Sequence, residues 1–433
     1  MQGSADRTAS GAPRYGPALA LLTTLFFMWG FISVINGTLL PHLRSVFELS
    51  YFQTGLIESV WFIGYLLASL PAAWLIERIG YQRALTTGLV VMTAGSLGMI
   101  VAAYLISYPV TVASLFTVSC GIALLQVAAN PYVAVIGPPE SSESRLTLVQ
   151  AFNTTGDVLA ILFGKYLILA RTTAGTVAQG TQLTHAQRMA DAQATKLPYL
   201  IVAIVLAVLA FLIARAKLPE LGASTRRIAA EQRKHLSLWN HRNLILGCVG
   251  IALCVLAEIC VGSYFINFVS QPSVADIPQD QAATYLTLFW GGMMIGRFAA
   301  AALMRRIAPE RVLALFATIA VAGSLVAVFV SGPAAMYGLI AVGLGISLMF
   351  PTIFALAIRG LGPLTEEGSG LLIMSIAGGA FASVQGKIGD LYGLHWGFLV
   401  PAGCALYVLF YALWGARPTE ALPAETLTVE GSA

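Results

Sequence analysis

Side-chain amides and carboxylates occur in this chain inside runs that are otherwise almost wholly apolar. Asn36, Gln126, Asn130, Gln150 and Asn153 each bring a hydrogen-bond donor and an acceptor to such a run. An unpartnered amide is costly there, so each has to engage another protein group or a polar ligand. Gln150 and Asn153 are three residues apart and share a helical face, and Asp157 follows one turn along it. Glu258 and Glu58 are two further acids in apolar surroundings. A carboxylate held out of water can take up and release a proton near neutrality, or coordinate Na+ together with amide and carbonyl oxygens. Trp29, Trp61, Trp290 and Phe350 offer flat ring faces for the C–H groups of a ligand. These are groups for binding a small polar solute and a cation, not for making or breaking bonds. The 5 histidines are scattered, and no nucleophile–base or metal-ligand spacing is present. Cys120, Cys248, Cys254, Cys260 and Cys404 all fall in apolar runs, where they are expected as free thiols. An enzyme is therefore not expected, and neither is a resident cofactor.

The elements that must position these groups are membrane spans. Of 433 residues, 58% are hydrophobic and 10% charged, more apolar surface than a soluble fold can cover. Twelve runs near the 20-residue length needed to cross a bilayer cover about 18–41, 53–76, 84–104, 110–136, 146–170, 198–216, 243–269, 282–304, 311–330, 335–358, 369–390 and 395–415. They must be helices, because only a helix satisfies its own backbone in lipid and no alternating barrel pattern appears. Span one has no cleavage site after a short apolar run and is expected to be retained. The expected fold is an all-α membrane protein of twelve transmembrane helices in two six-helix bundles.

Lys and Arg set the orientation. With the N-terminus inside, the outer segments hold only Arg44, Arg171, Arg188 and Lys196, and the spans hold Lys165, Arg297 and Lys387; the rest of the 24 lie on the inner side. Both termini are thus expected in the cytoplasm, and the net charge of +4 reflects topology, not a nucleic-acid partner. The division expected is a cytoplasmic tail at 1–17, one bundle at 18–216, a basic cytoplasmic linker at 217–242, a second bundle at 243–415 and a tail at 416–433.

The halves echo one another. Pro71-Ala-Ala-Trp-Leu-Ile-Glu-Arg-Ile-Gly-Tyr-Gln-Arg83 joins spans two and three, and Gly296-Arg-Phe-Ala-Ala-Ala-Ala-Leu-Met-Arg-Arg306 leads from span eight to nine. Span four carries Ala129-Asn-Pro-Tyr and leaves through Gly137-Pro; span ten carries Met349-Phe-Pro-Thr and leaves through Gly362-Pro. Pro131 and Pro351 free backbone carbonyls beside polar residues. Gly291-Gly292, Gly343-x-Gly345 and Gly378-Gly379 allow helices to approach closely. Six-plus-six repeats with a midplane site are the pattern of rocking secondary transporters.

Longer strings carry a resemblance. Phe26-Phe-Met-Trp-Gly-Phe, Leu125-Gln-Val-Ala-Ala-Asn-Pro-Tyr-Val-Ala-Val-Ile-Gly-Pro-Pro-Glu140, Arg145-Leu-Thr-Leu-Val-Gln-Ala-Phe-Asn-Thr-Thr-Gly156 and Phe350-Pro-Thr-Ile-Phe-Ala-Leu-Ala-Ile-Arg-Gly-Leu-Gly362 with Gly368-Ser-Gly resemble the fucose–galactose–glucose permease family of the major facilitator superfamily. The likeness covers nearly the whole chain and is closest to the bacterial glucose/galactose and N-acetylglucosamine branch. It implies a hexose-type sugar held between the halves by Asn36, Gln126, Asn130, Gln150, Asn153, Trp290 and Phe350. It also implies a cytoplasmic latch at Glu77, Arg78, Gly80 and Arg83, a bacterial inner-membrane location and a monomer. In the family's fucose branch a carboxylate in an Asn-Asp-x-Leu-Leu-Pro string of span one is linked to proton coupling, and a glutamate in span four to sugar binding and protonation. Here those positions are Gly37 and Gln126, which cannot carry a proton. Coupling to H+ or Na+ would fall to Asp157, Glu258 or Glu58, with a Na+ ion near Asp157 as the sole metal expectation. Lys165 is the expected partner if Asp157 is instead in a salt bridge; Arg297 and Lys387 could pair with Glu258, Asp390 or loop carbonyls. An uncoupled sugar facilitator, a transporter-like sensor and a drug exporter remain as alternatives.

Overall fold

The structure, a computed structural model, describes residues 16–47, 51–163, 196–216, 218 and 236–418, and within these the side chains of 34–47, 51–58, 161–163, 279, 280 and 283 are not described. Asn36, Glu58 and Lys165 therefore lie outside the described side chains.

Apolar sequence without a partner sheet has to satisfy its backbone locally, and it does so as helices. In the first half these are α1 (Gly16–Phe47), α2 (Tyr51–Ile79), α3 (Tyr81–Leu105), α4 (Tyr108–Val135), α5 (Ser142–Phe163) and α6 (Lys196–Arg215). In the second they are α7 (Arg242–Val269), α8 (Gln279–Leu303), α9 (Pro309–Phe329), α10 (Pro333–Ala357), α11 (Gly362–Tyr392) and α12 (Leu394–Gly415). Among the described residues 11 of them are long and apolar enough to cross a membrane. Among the polar and charged residues of α5 are Glu143, Arg145, Gln150, Asn153 and Asp157. Leu67, Phe211 and Leu413, at 57, 58 and 60% exposure, belong to an apolar outer surface fit for lipid. Four of the cysteine thiols lie inside apolar helices of the second half, and all five are free.

Both halves pair their helices alike. In the first, α3 packs on α4 and α6, α2 on α4, and α1 on α5; in the second, α9 packs on α10 and α12, α8 on α10, and α7 on α11. Between halves, α5 meets α8 and the latter part of α10, while α2 and α4 meet α11. Glycines make several of these crossings close. A Cβ on Gly156 would lie 2.2 Å from the Phe27 carbonyl oxygen, and one on Gly64 would lie 2.2 Å from Ser119 Oγ.

Two spans of the second half depart from regular winding. α10 is broken between Pro333–Ile346 and Met349–Ala357. Pro351 has no N–H to give the carbonyl four residues back, so Ser347 O is released from the ladder. α11 changes to 3-10 winding over Ser375–Ala382, at Gly378-Gly379. A Cβ on Gly378 would strike Ala252 of α7 at 2.7 Å, and one on Gly379 would strike Phe62 of α2 at 2.6 Å.

Candidate functional site

The polar groups of α4 and α5 converge in the interior of the first half, and an arginine enters from the second. Gln126, Gln150 and Asn153 are 2, 2 and 8% exposed, so protein covers them and none is turned to lipid. Gln126 Nε2 donates to the Tyr65 hydroxyl oxygen of α2 at 2.6 Å. One turn along α4, the Asn130 Oδ1 accepts from Gln150 Nε2 at 3.3 Å. Asn153 Nδ2 donates to the Phe26 carbonyl of α1 at 2.9 Å. Among the described residues, Gln126 Oε1 and Asn130 Nδ2 have no hydrogen-bond partner. A buried polar atom left so costs about 1–3 kcal/mol, which a ligand group can return.

Arg297 of α8 is 6% exposed and ties three helices together. Its Nε donates to Ser347 O at 2.8 Å, the carbonyl that Pro351 releases. Its Nη1 donates to Gln150 O at 3.0 Å and to Thr154 Oγ1, both on α5 across the boundary between halves. Asp157 follows Thr154 by one turn and packs against Gly30 of α1, where a Cβ would lie 2.8 Å from its Oδ1. Glu258 of α7 is half-buried, as is Asp157. Both carboxylates bear electrostatically on Arg297 from beyond ion-pair distance, while its N–H groups go to Ser347, Gln150 and Thr154. The expected partner Lys165 is outside the described residues; Lys387 and Asp390 stand exposed on α11. Among the described residues no group of three or more His, Cys, Asp or Glu could hold a metal ion.

The aromatic candidates are arranged differently. Trp290 is half-buried against α7, where a Cβ on Gly262 would lie 3.6 Å from its ring, and it stands edge-on to Phe289. Phe350 is half-buried and stacks near Phe354. Trp29 is buried with Phe26 within the first half.

At the bundle end that carries the linker, Gly80 takes φ 85° in the sharp turn between α2 and α3, a conformation that favours glycine. Gln82 donates from Nε2 to Ile213 O at 2.8 Å and Ala216 O at 2.7 Å, closing the end of α6. Arg78 lies over the Trp74 ring at 3.5 Å, Glu77 is half-buried and Arg83 is exposed. Among the described residues, an ion pair crosses between halves at the exit of α10. Arg359, just past α10, donates from Nη2 and Nε to Glu143 Oε1 at 2.6 and 3.1 Å, and from Nη1 to Glu310 Oε1 at 2.7 Å. Burial opposes its charge, but Glu143 and Glu310 outweigh that and its pKa is raised. Nearby, Ser144 Oγ donates to Ala301 O at 2.7 Å, so α5 is fastened to α8 and to the exit of α10.

Tyr65, Thr154, Glu143 and Arg359 were not singled out by the sequence. Glu143 and Glu310 did carry a signal, since each occupies the first turn of its helix, where a carboxylate is favoured.

Comparison with known proteins agrees with this architecture. The family model of the Major Facilitator Superfamily matches residues 21–384. The chain is 43% identical over 409 residues to a glucose/galactose transporter of Brucella abortus biovar 1 (strain 9-941), covering 94% of this chain and 96% of that protein. It is 32% identical over 424 residues to the L-fucose-proton symporter of Escherichia coli (strain K12), covering 94% and 95%. A crystal structure of the transporter FucP in the outward conformation superposes with a TM-score of 0.83 at 31% identity, over 93% of this chain and 99% of that one. With its relatives matched almost from end to end, the chain belongs to the Major Facilitator Superfamily and to its fucose–galactose–glucose permease branch.

Proposed function

We propose that the protein carries a hexose-type sugar, glucose, galactose or a close relative, across a bacterial inner membrane by alternating access, in company with H+ or Na+. The names of the relatives support the sugar class. The observation that carries the reading is the arginine bridge. Arg297 joins the amide-rich face of α5 to α8 and α10 and lies within the electrostatic reach of Asp157 and Glu258, so solute groups and charge meet at one junction between halves.

With both carboxylates ionised, the two acids and one guanidinium leave one negative charge in a region where isolated charge is costly. A cation that neutralises it favours the states in which the cavity is shut. Coupling further requires that the cation bind one state better than the other, since equal affinity shifts nothing. Asp157 lies in the first half and Glu258 in the second, so rocking of the halves changes what each one faces. Asn36, Gln126, Asn130, Gln150, Asn153, Trp290 and Phe350 are assigned to the sugar, with Glu77, Arg78, Gly80 and Arg83 at a cytoplasmic turn. The linker end is assigned to the cytoplasm on the Lys and Arg asymmetry, and the working unit is a monomer.

A second reading, an uncoupled facilitator, is favoured by Gly37 and Gln126 standing where the fucose branch has acids. Uptake into proteoliposomes, with a panel of labelled sugars under separate proton and sodium gradients, decides between them. Accumulation above equilibrium under one gradient supports symport. Counterflow without accumulation leaves the facilitator, and absence of both for every hexose removes the sugar reading.

A further inference from the structure

We infer that Asn243 is a positioning residue: by holding the exit of α10 against the start of α7, it places Arg359 where the guanidinium reaches Glu143 in the opposite half. The inference rests on the alternating-access reading above and deepens it, because the Arg359–Glu143 bond has to part when the halves separate at that end.

A helix leaves its last carbonyls without N–H partners, and α10 ends at Ala357. The chain just beyond is held only loosely by its own backbone. Arg359 N reaches Leu356 O and Leu361 N reaches Ile358 O at 3.3 Å each, and Gly360 and Gly362 take φ of 77° and 50°. Glycine is permissive, so the stretch that carries Arg359 has much conformational freedom to lose. Asn243, the second residue of α7, supplies the missing restraint. It is 0% exposed, and its Nδ2 donates to Leu356 O at 3.2 Å, to Ala357 O at 3.0 Å and to Arg359 O at 3.0 Å. Backbone carbonyls accept and never donate, so the nitrogen end of the amide is the end that faces all three. One turn along the same face of α7, Gly247 lets the helices close: a Cβ there would lie 2.6 Å from Ala357 Cβ. Tyr411 of α12 donates to Asn243 O at 3.2 Å, so the start of α7 is itself tied down. The main chain of Arg359 is thereby fixed to a corner made by three helices. From that root one guanidinium has to meet Glu143 of α5 at 2.6 Å and Glu310 of α9 at 2.7 Å, with its side chain 40% exposed. A root left free would add its own ordering cost to that of the long side chain.

The test is a double-mutant cycle read by pulsed dipolar spectroscopy, with spin labels at Glu140→Cys and Arg306→Cys in a background without the native cysteines. Asn243→Ala removes the clamp and no charge. It is expected to enrich molecules opened at the linker end by about threefold to tenfold, the order of one hydrogen bond. In a Glu143→Ala background the same change is expected to move the distribution by less than about twofold, because Arg359 then has no partner across the boundary. Asn243→Ser is the second variant, for the case that the alanine protein does not fold. Its hydroxyl is too short to span three carbonyls, and a shift in the same direction is expected, again lost without Glu143. Equal enrichment with and without Glu143, or the wild-type distribution in the Asn243 variants, overturns the inference and leaves Asn243 as a helix cap alone. A linker end that shows no opened molecules in any of these proteins refutes alternating access, and the inference with it.

Discussion

Replacing Glu143 by glutamine removes the charge from the one partner of Arg359 that lies in the opposite half. Both guanidinium bonds to Glu143 end on Oε1, and the carboxylate side chain is 3% exposed while that of Arg359 is 40% exposed. Breaking a fully buried pair costs about 3–5 kcal/mol. That figure has to be reduced here, because water reaches Arg359, Glu310 still holds it at 2.7 Å, and glutamine can accept a neutral hydrogen bond. About 1–2 kcal/mol remains, a factor of about 5–30 between conformations. A bond between the halves has to part when they separate at that end, so Glu143→Gln is expected to enrich molecules opened there by this factor. Spin labels at Glu140→Cys and Arg306→Cys, in a background without the native cysteines, report the separation of the halves by pulsed dipolar spectroscopy. Glu310→Gln is the control: Glu310 and Arg359 belong to the same half, so its loss leaves the bond between halves in place. If Glu143→Gln gives the distance distribution of wild type, or if Glu310→Gln shifts it equally, the ion pair does not hold that end shut.

Three other outcomes follow from the same geometry. Asp157→Asn is expected to abolish gradient-driven accumulation in proteoliposomes while sugar exchange persists; undiminished uphill uptake would remove Asp157 from coupling. Arg297→Lys keeps a charge but cannot direct separate N–H groups at Ser347 O and Gln150 O. Transport is expected to fall by about tenfold or more, read as initial rate, with the protein still monodisperse. Gly156→Ala puts a methyl group 2.2 Å from the Phe27 carbonyl oxygen. It is expected to destabilise the α1–α5 contact by about 1–3 kcal/mol, seen as earlier thermal unfolding in detergent, and unaltered unfolding would show that the crossing can relax.

The fold was legible because lipid leaves the backbone so few choices. Runs of about 20 apolar residues become helices, and the fold class read from them is the one observed. The irregularities were only half legible. Pro351 announced a released carbonyl, yet nothing in the sequence said that Arg297, 50 residues away in a separate span, would take it. The partners in the site are hidden for the same reason. Helical spacing puts Gln150, Asn153 and Asp157 on a shared face but does not say which neighbour that face meets. Tyr65 was unremarkable within α2, since a tyrosine in an apolar span is equally suited to an interface with headgroups, and only the α2–α4 crossing gives it Gln126. Arg359 read as one more basic residue of an inner loop. Its pairing with a carboxylate 216 residues earlier depends on how two bundles dock, which no local pattern encodes.

The change of winding in α11 has a mechanical corollary. Eight residues of 3-10 helix are about 4 Å longer than the same residues wound as α-helix, and they carry about 160° more turn. The span thus holds slack in the form of extra length and twist, gathered at the pair of glycines that touch α7 on one side and α2 on the other. Any tightening or loosening of that coil moves surfaces of both bundles at once, which makes α11 the drive shaft between them.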